Sequence, residues 1–186
     1  VGNIMVVNML IDKKCNVNLK ALCGATALHF AAQCGHTEIV RLLLDSEARF
    51  TRNNNNFTPL FVAAENSRPS VVRTLEFYNK TSALFSEQEY ITAIELLGSS
   101  YVSTAESFNA VASNEAYKWI SLAFQLRSSQ ELPKTIGDTV EPMSCYENHR
   151  ESCSLNELST IRSNSVKLMY ECFVIMERIL GDKSLR

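Results

Sequence analysis

Hydrophobic and polar positions along the chain obey two different rules. Up to about residue 80 they repeat: Thr26-Ala27-Leu28-His29-Phe30-Ala31-Ala32 returns as Thr58-Pro59-Leu60-Phe61-Val62-Ala63-Ala64, and Ile39-Val40 returns as Val71-Val72, both 32 residues later. Backwards, Val6-Val7-x-x-Leu10 precedes Ile39-Val40-x-x-Leu43 by 33 residues, so the chain opens inside the second helix of an earlier copy. Thr26 and Thr58 suit a helix N-cap, and Pro59 stands at the first helical position, where a missing N–H costs nothing. The Ala pair permits close helix approach, while Ile39, Val40, Leu42, Leu43 and Leu44 fill the apolar side of a second helix bounded by Gly35 and a loop over Asp45–Phe50. In the later copy Gly24 becomes Asn56, which tolerates positive φ, and Gly35-His36 becomes Ser67-Arg68 followed by Pro69. That copy reads as a degenerate, capping one. Ala31, Leu43, Ala63 and Val72 are expected to be buried between stacked helices.

Beyond residue 80 the period stops, and the spacing predicts helices without repetition. Ser86-x-x-Glu89 has the form of a capping box opening a helix over 87–97, ended by Gly98. A second helix is predicted over about 105–125, with Trp119 on its apolar face. Residues 128–153, rich in Ser, Thr, Glu and Pro, read as an extended excursion. A single helix then starts near Ser154 or Asn156, with Leu155, Leu158, Ile161, Leu168, Cys172, Ile175 and Ile179 at helical spacing, and runs to Gly181. Alternating strand patterns of useful length are absent.

A period of 32 to 33 residues with Thr-x-Leu-His, an Ala pair, Gly35-His36 and a closing Val17-Asn18 resembles the ankyrin repeat. Residues 1–80 then hold one partial and two complete copies, the last a degenerate cap, and residues 81–186 form a separate helical region with its loop at about 128–153. In such arrays the hairpin tips and inner-helix ends line a concave binding face. Here that rule maps to Leu22, Cys23, Ala25, Gln33, Cys34, Asn54, Asn55, Phe57, Glu65 and Asn66 as substrate-binding candidates. His29 and His36 occupy positions where the imidazole ordinarily bonds neighbouring turns, so both are read as structural. Cys23 is read as a small residue at a tip.

Composition adds exclusions. The 186 residues are 46% hydrophobic, with 18 Lys+Arg against 20 Asp+Glu, a formal net charge of −2, which suits a folded protein and supplies no broad basic field for nucleic acid or an anionic membrane. The balance is uneven: residues 1–80 carry nine basic and six acidic side chains, residues 81–186 nine and fourteen. Asn8, Asp12, Arg41 and Glu177 interrupt the longest apolar patches, so no membrane-spanning run exists. Six cysteines are too dilute for a disulfide scaffold and point to a reducing compartment, hence to a cytoplasmic or nuclear protein. The chain opens on Val1 without a secretory leader and is expected to be an internal fragment of a longer protein.

Candidate chemistry is sparse. Cys145, His149 and Cys153 are spaced C-x3-H-x3-C, but a structural zinc needs four ligands and no fourth Cys or His follows closely. As a nucleophile and base, the same residues lack an orienting Asp or Asn. Phosphate-binding loops, dinucleotide fingerprints and zinc-protease motifs are missing, and Glu87/Glu89 read as a solvated helix face. No catalytic residue, metal or cofactor is expected.

The stretches Cys23-Gly-Ala-Thr-Ala-Leu-His-Phe-Ala-Ala, Ala93-Ile-Glu-Leu-Leu-Gly-Ser-Ser-Tyr101, Tyr146-Glu-Asn-His-Arg-Glu-Ser-Cys153, Asn156-Glu-Leu-Ser-Thr-Ile-Arg162 and Glu177-Arg-Ile-Leu-Gly181 together resemble the Fem family, in that family's order. The resemblance implies an all-α chain: the end of an ankyrin-repeat solenoid followed by a tetratricopeptide-like helical region. It also implies a non-catalytic substrate receptor of a cullin–RING ubiquitin ligase. Such a receptor presents proteins through carboxyl-terminal degrons, and binds elongin and cullin subunits through parts of the full-length protein outside this chain. Residues 102–115 and 128–144 depart from the family pattern. The alternative is a generic ankyrin scaffold for protein–protein interaction.

Overall fold

A computed structural model describes residues 2–104, 109–129 and 144–181. Among these residues all regular structure is helical, and the chain divides into two compact units, Val1–Ser86 and Glu87–Arg186. The first unit holds α1 (Ile4–Asp12), α2 (Ala27–Cys34), α3 (Thr37–Asp45), α4 (Pro59–Glu65) and α5 (Pro69–Ser82). The second holds α6 (Glu87–Thr104), α7 (Ala110–Ser129), a single 3-10 turn at Ser144–Tyr146, α8 (Leu155–Ile161) and α9 (Ser165–Leu180).

In the first unit the short helices α2 and α4 stack as an inner row, and α1, α3 and α5 follow one another as the outer row. The recurrence in the sequence is thus a recurrence in space, and α1 is the outer helix of the earlier copy. Ala31, Leu43, Ala63 and Val72 are all buried where the rows meet. Each hairpin turn is drawn by the same two bonds. Ala21 N donates to Ala25 O and Gly24 N to Ala21 O, and 32 residues on Asn53 N donates to Phe57 O and Asn56 N to Asn53 O. Gly24 (φ 74°) and Asn56 (φ 65°) fill equivalent left-handed positions, as do Gly35 (φ 77°) and Ser67 (φ 54°). Gly24 answers a second demand as well: a Cβ there would lie 2.3 Å from Asn54 Oδ1 and 2.8 Å from its backbone nitrogen.

In the second unit α6 is the central helix, with α7 and α9 packed on it. Every residue from Tyr90 to Ser100 is buried, so this helix has no polar face. It also runs straight through Gly98, which the sequence marks as its end. Gly98 lies where α7 crosses, and a Cβ on it would sit 2.9 Å from Ile120 Cγ1 and 3.0 Å from the Ala116 carbonyl oxygen. The glycine is there for close helix approach, and neither residue beside it needs a turn. Ala116, Ile120 and Phe124 of α7, Leu158 and Ile161 of α8, and Leu168, Cys172 and Ile175 of α9 form one core. The last predicted helix is two helices: Asn164 caps α9 by accepting from Lys167 N (3.1 Å), and the break over Arg162–Asn164 redirects the chain. Helix α7 begins at Ala110, and most of the predicted excursion, residues 130–143, lies outside the described residues.

Glu95 stands in the middle of α6 and is 1% exposed. Its Oε1 accepts from Arg127 Nη1 of α7 (2.5 Å) and its Oε2 from Arg178 Nη2 of α9 (2.8 Å). Arg178 Nε donates in turn to Glu151 Oε2 (2.8 Å), ahead of α8. Burial by itself would push the Glu95 carboxyl up; the hydrogen bond from Arg127 and the charges of Arg178 and Arg127 outweigh it and hold the group below the usual carboxylate range. One carboxylate therefore fixes three helices.

Two outcomes follow. Gly98→Ala gains about 1 kcal/mol of helix propensity but overpacks a contact against backbone, which costs about 1–3 kcal/mol, so its urea midpoint should fall. Arg178→Met leaves Glu95 half-paired in the core and should lose about 3–5 kcal/mol, while Glu95→Gln combined with Arg178→Met should recover part of that loss in the same titration.

Candidate protein-binding surface

The ten candidate residues fall on the hairpin tips and inner-helix ends of the first unit, in different states. Leu22, Cys23, Asn54 and Asn55 are exposed at the tips. Their backbone is tied from one tip to the next: Asn54 N donates to Cys23 O (3.0 Å), Asn54 Nδ2 to Leu22 O (3.0 Å) and Lys20 Nζ to Arg52 O (3.3 Å). The Asn54 side chain is thus committed to holding the tips in register, and the exposed material is Leu22, Cys23 and Asn55. Ala25 is a correction. It is buried at 6% exposure, because its carbonyl closes the hairpin and turns its methyl inward, so it contributes no surface.

Gln33 and Cys34 are exposed at the end of α2, and Arg68 Nε donates to the Gln33 carbonyl (2.9 Å), joining the two inner-helix ends. Asn66 is half-buried and uses its side chain to cap α4, Nδ2 donating to Val62 O (2.9 Å). Phe57 is half-buried, its ring stacked on Phe61 at 6.2 Å and 21°. Glu65 is half-buried on α4 and makes no ion pair among the described residues. Burial alone pushes its carboxyl above the usual range. Ionised at neutral pH, it is a poorly solvated negative charge that a cation would relieve. Two contributors escaped the sequence reading: Phe61, and Phe30, which is 47% exposed. Helical spacing could have found both, since Phe30 stands three positions before Gln33 and Phe61 four before Glu65.

His29 is structural. Thr26 N donates to its Nδ1 (3.1 Å), which fixes that nitrogen as the acceptor, and Nε2 lies 3.2 Å from Phe57 O of the next repeat. The neutral ring thereby links two hairpins. His36 takes the N-cap position of α3 without a side-chain capping bond.

The Cys145–His149–Cys153 spacing does not assemble a centre. Both cysteines are exposed, while His149 Nε2 turns to Glu171 Oε2 on α9 (2.8 Å). Glu171 is fully buried and also accepts from Ser152 N at 2.8 and 3.1 Å. Tyr146 donates its hydroxyl to Glu177 Oε1 (2.8 Å) and stacks on Phe173 at 5.6 Å; burial and that carboxylate push the phenol up to about 12. The segment from Tyr146 to Cys153 is a strap bonded along α9. Among the described residues no group of three or more His, Cys, Asp or Glu could hold a metal ion, and no helix is long and apolar enough to cross a membrane.

Known proteins match this arrangement. The family described as ankyrin repeats (3 copies) matches residues 1–82. Protein fem-1 homolog A-like of Mus musculus is 25% identical over 97% of this chain, and protein fem-1 homolog A of Bos taurus is 26% identical over 92%. The chain spans 32% and 30% of those two relatives, about a third of their length. Probable E3 ubiquitin-protein ligase XBOS33 of Oryza sativa subsp. japonica is 36% identical over 40% of this chain, which covers 15% of that protein. The ankyrin matches mark the first unit as a protein–protein interaction module.

Burial, the largest cause, holds the His29 imidazole below its ordinary value of 6.5. The unfolded chain then binds the proton more readily, so stability present above that value is lost as pH falls through and below it. Glu65, raised by burial, acts in the opposite sense and only nearer the carboxylate range. The far-UV unfolding midpoint should therefore drop between about pH 7.5 and about pH 5.5, and His29→Gln should flatten that dependence while lowering the midpoint at the higher pH.

Proposed function

Taking as premise that this is an ankyrin-repeat chain of the Fem family, we propose that it belongs to the substrate-recognition subunit of a cullin–RING E3 ubiquitin ligase. The observation that carries the reading is the span of the similarity: it runs through both units, over 97% of the chain, and so covers more than the interaction module that many unrelated proteins share. The role is binding without chemistry in this chain. A receptor raises the effective concentration of substrate lysines near an activated ubiquitin supplied by other subunits. Elongin and cullin would be engaged by parts of the full-length protein outside these residues. Cytoplasm and nucleus are the compartments in which such a receptor works.

On this reading the substrate lies across the tips and inner helices of the first unit. Leu22, Phe57 and Phe61 supply apolar contact, and Glu65 takes a basic group of the bound segment, which restores the solvation that its half-burial removes. The carboxyl-terminal degron that family resemblance suggests is accommodated if its terminal carboxylate is held away from Glu65.

In the full-length protein, Glu65→Lys and Phe61→Ser should each lower ubiquitination of captured substrates by about tenfold, the scale set by losing one buried anchor, with elongin and cullin capture unchanged. A full-length protein that binds partners through this surface yet co-purifies with neither elongin nor cullin would instead be a generic ankyrin scaffold.

A further inference from the structure

The outer row presents a second surface, facing away from the tips and inner helices. Between α3 and α5 runs an open groove of about 570 Å³, lined by Thr37 and Arg41 on one side and by Ser70, Arg73, Thr74, Phe77 and Tyr78 on the other. Its chemistry is one-sided. Arg41 and Arg73 are exposed, and Arg41 makes no ion pair among the described residues. The nearest carboxylates are already engaged or point elsewhere. Asp45 accepts from the Tyr78 hydroxyl (2.6 Å), Glu76 pairs with Lys80 (3.7 Å), and exposed Glu38 does not line the groove. Phe77 is 68% exposed, touching Tyr78 edge-on at 5.9 Å, and so offers an aromatic face beside the two guanidinium groups. Apolar surface rimmed by polar groups of one sign marks an interaction site.

We infer that this groove docks an acidic linear segment of a protein partner, with carboxylates on Arg41 and Arg73 and an apolar side chain on Phe77. Adjacent packed helices stand about 8–10 Å apart, so groups on Arg41 and Arg73 are separated by about that distance. A segment in the polyproline conformation places residues i and i+3 on one side, about 9 Å apart. The geometry therefore selects a Glu-x-x-Glu spacing, with an adjoining aromatic or aliphatic residue reaching Phe77, which lies one helical turn beyond Arg73. Guanidinium forks suit carboxylates, and Thr37, Ser70 and Thr74 offer hydroxyls to the segment's backbone. Nucleic acid and membranes are disfavoured because residues 1–80 carry nine basic side chains against six acidic ones, too small an excess for a many-phosphate contact. The surface is separate from the proposed substrate face, so its fate does not decide that reading.

The 186-residue chain would be titrated by fluorescence anisotropy into a labelled peptide of about twelve residues carrying Glu-x-x-Glu-Phe in a proline-containing frame. Saturable binding is expected, weakened about tenfold by Arg41→Glu and about threefold by Phe77→Ser, and weakened again as salt rises from about 50 to about 300 mM. The Gln-x-x-Gln peptide should bind at least about tenfold less tightly. Glu65→Gln should change nothing. Circular dichroism confirms that each variant is folded, and Arg73→Gln provides a milder second test of the basic pair. The proposal is overturned by absence of saturation up to about 1 mM peptide, by equal binding of the Gln peptide, or by a folded Arg41→Glu variant that binds as well as the parent. Tighter, Arg41-dependent binding to phosphatidylserine vesicles or to duplex DNA would overturn it too.

Discussion

No ankyrin copy in this chain closes its own hydrogen bonds. The His29 ring completes its set only by reaching Phe57 O of the following hairpin, Leu22 O and Cys23 O are satisfied by Asn54, and Tyr78 bonds Asp45 one helix back. These links join equivalent positions 28 to 33 residues apart, so a slip of even one residue would leave buried polar groups without partners. The fixed register explains the residues that look idiosyncratic in isolation: Gly24 has no side chain because Asn54 passes over it, and Asn56 accepts a left-handed turn because the hairpin must reverse there as its predecessor does.

The second unit meets a different constraint with a different device. Its central helix is buried along a stretch of eleven residues from Tyr90 to Ser100, and one of them is a carboxylate. Such a charge is tolerable only when paired and hydrogen-bonded, and Glu95 is served by arginines from two neighbouring helices. The strap from Tyr146 to Cys153 repeats the solution at the surface of α9, where Glu171, Glu177 and Glu151 receive His149, Tyr146 and Arg178. Polar bonds with one geometry specify which helix lies where, a task that interchangeable apolar contacts perform less well.

These two economies leave the first unit with surface to spare. Its backbone polar groups are consumed by neighbouring repeats, so tips, inner-helix ends and the outer groove are free to vary in composition without disturbing the stack. The inner face gathers aromatic rings around one under-solvated carboxylate, and the outer face gathers guanidinium groups around one exposed ring. Opposite charge preferences on the two faces allow two different protein segments to be held at once, as assembly by a receptor requires.

Local pattern was enough to determine the ankyrin copies, their caps and their buried positions, because each repeat's information is contained within one period and the next copy confirms it. The bland reading of His29 was legible for the same reason. Tertiary structure alone decided the rest. Gly98 reads as a stop in sequence, since glycine ends helices, but α7 crosses there and makes it a contact. The apolar spacing from Leu155 to Ile179 continues smoothly across a break, since periodicity records which side is buried and not whether the axis turns. Ala25 sits beside exposed neighbours yet points inward, and Glu95 reads as a solvated charge until Arg127 and Arg178, distant in sequence, close around it. In each case the deciding partner stands tens of residues away, and only the packed chain brings it into contact.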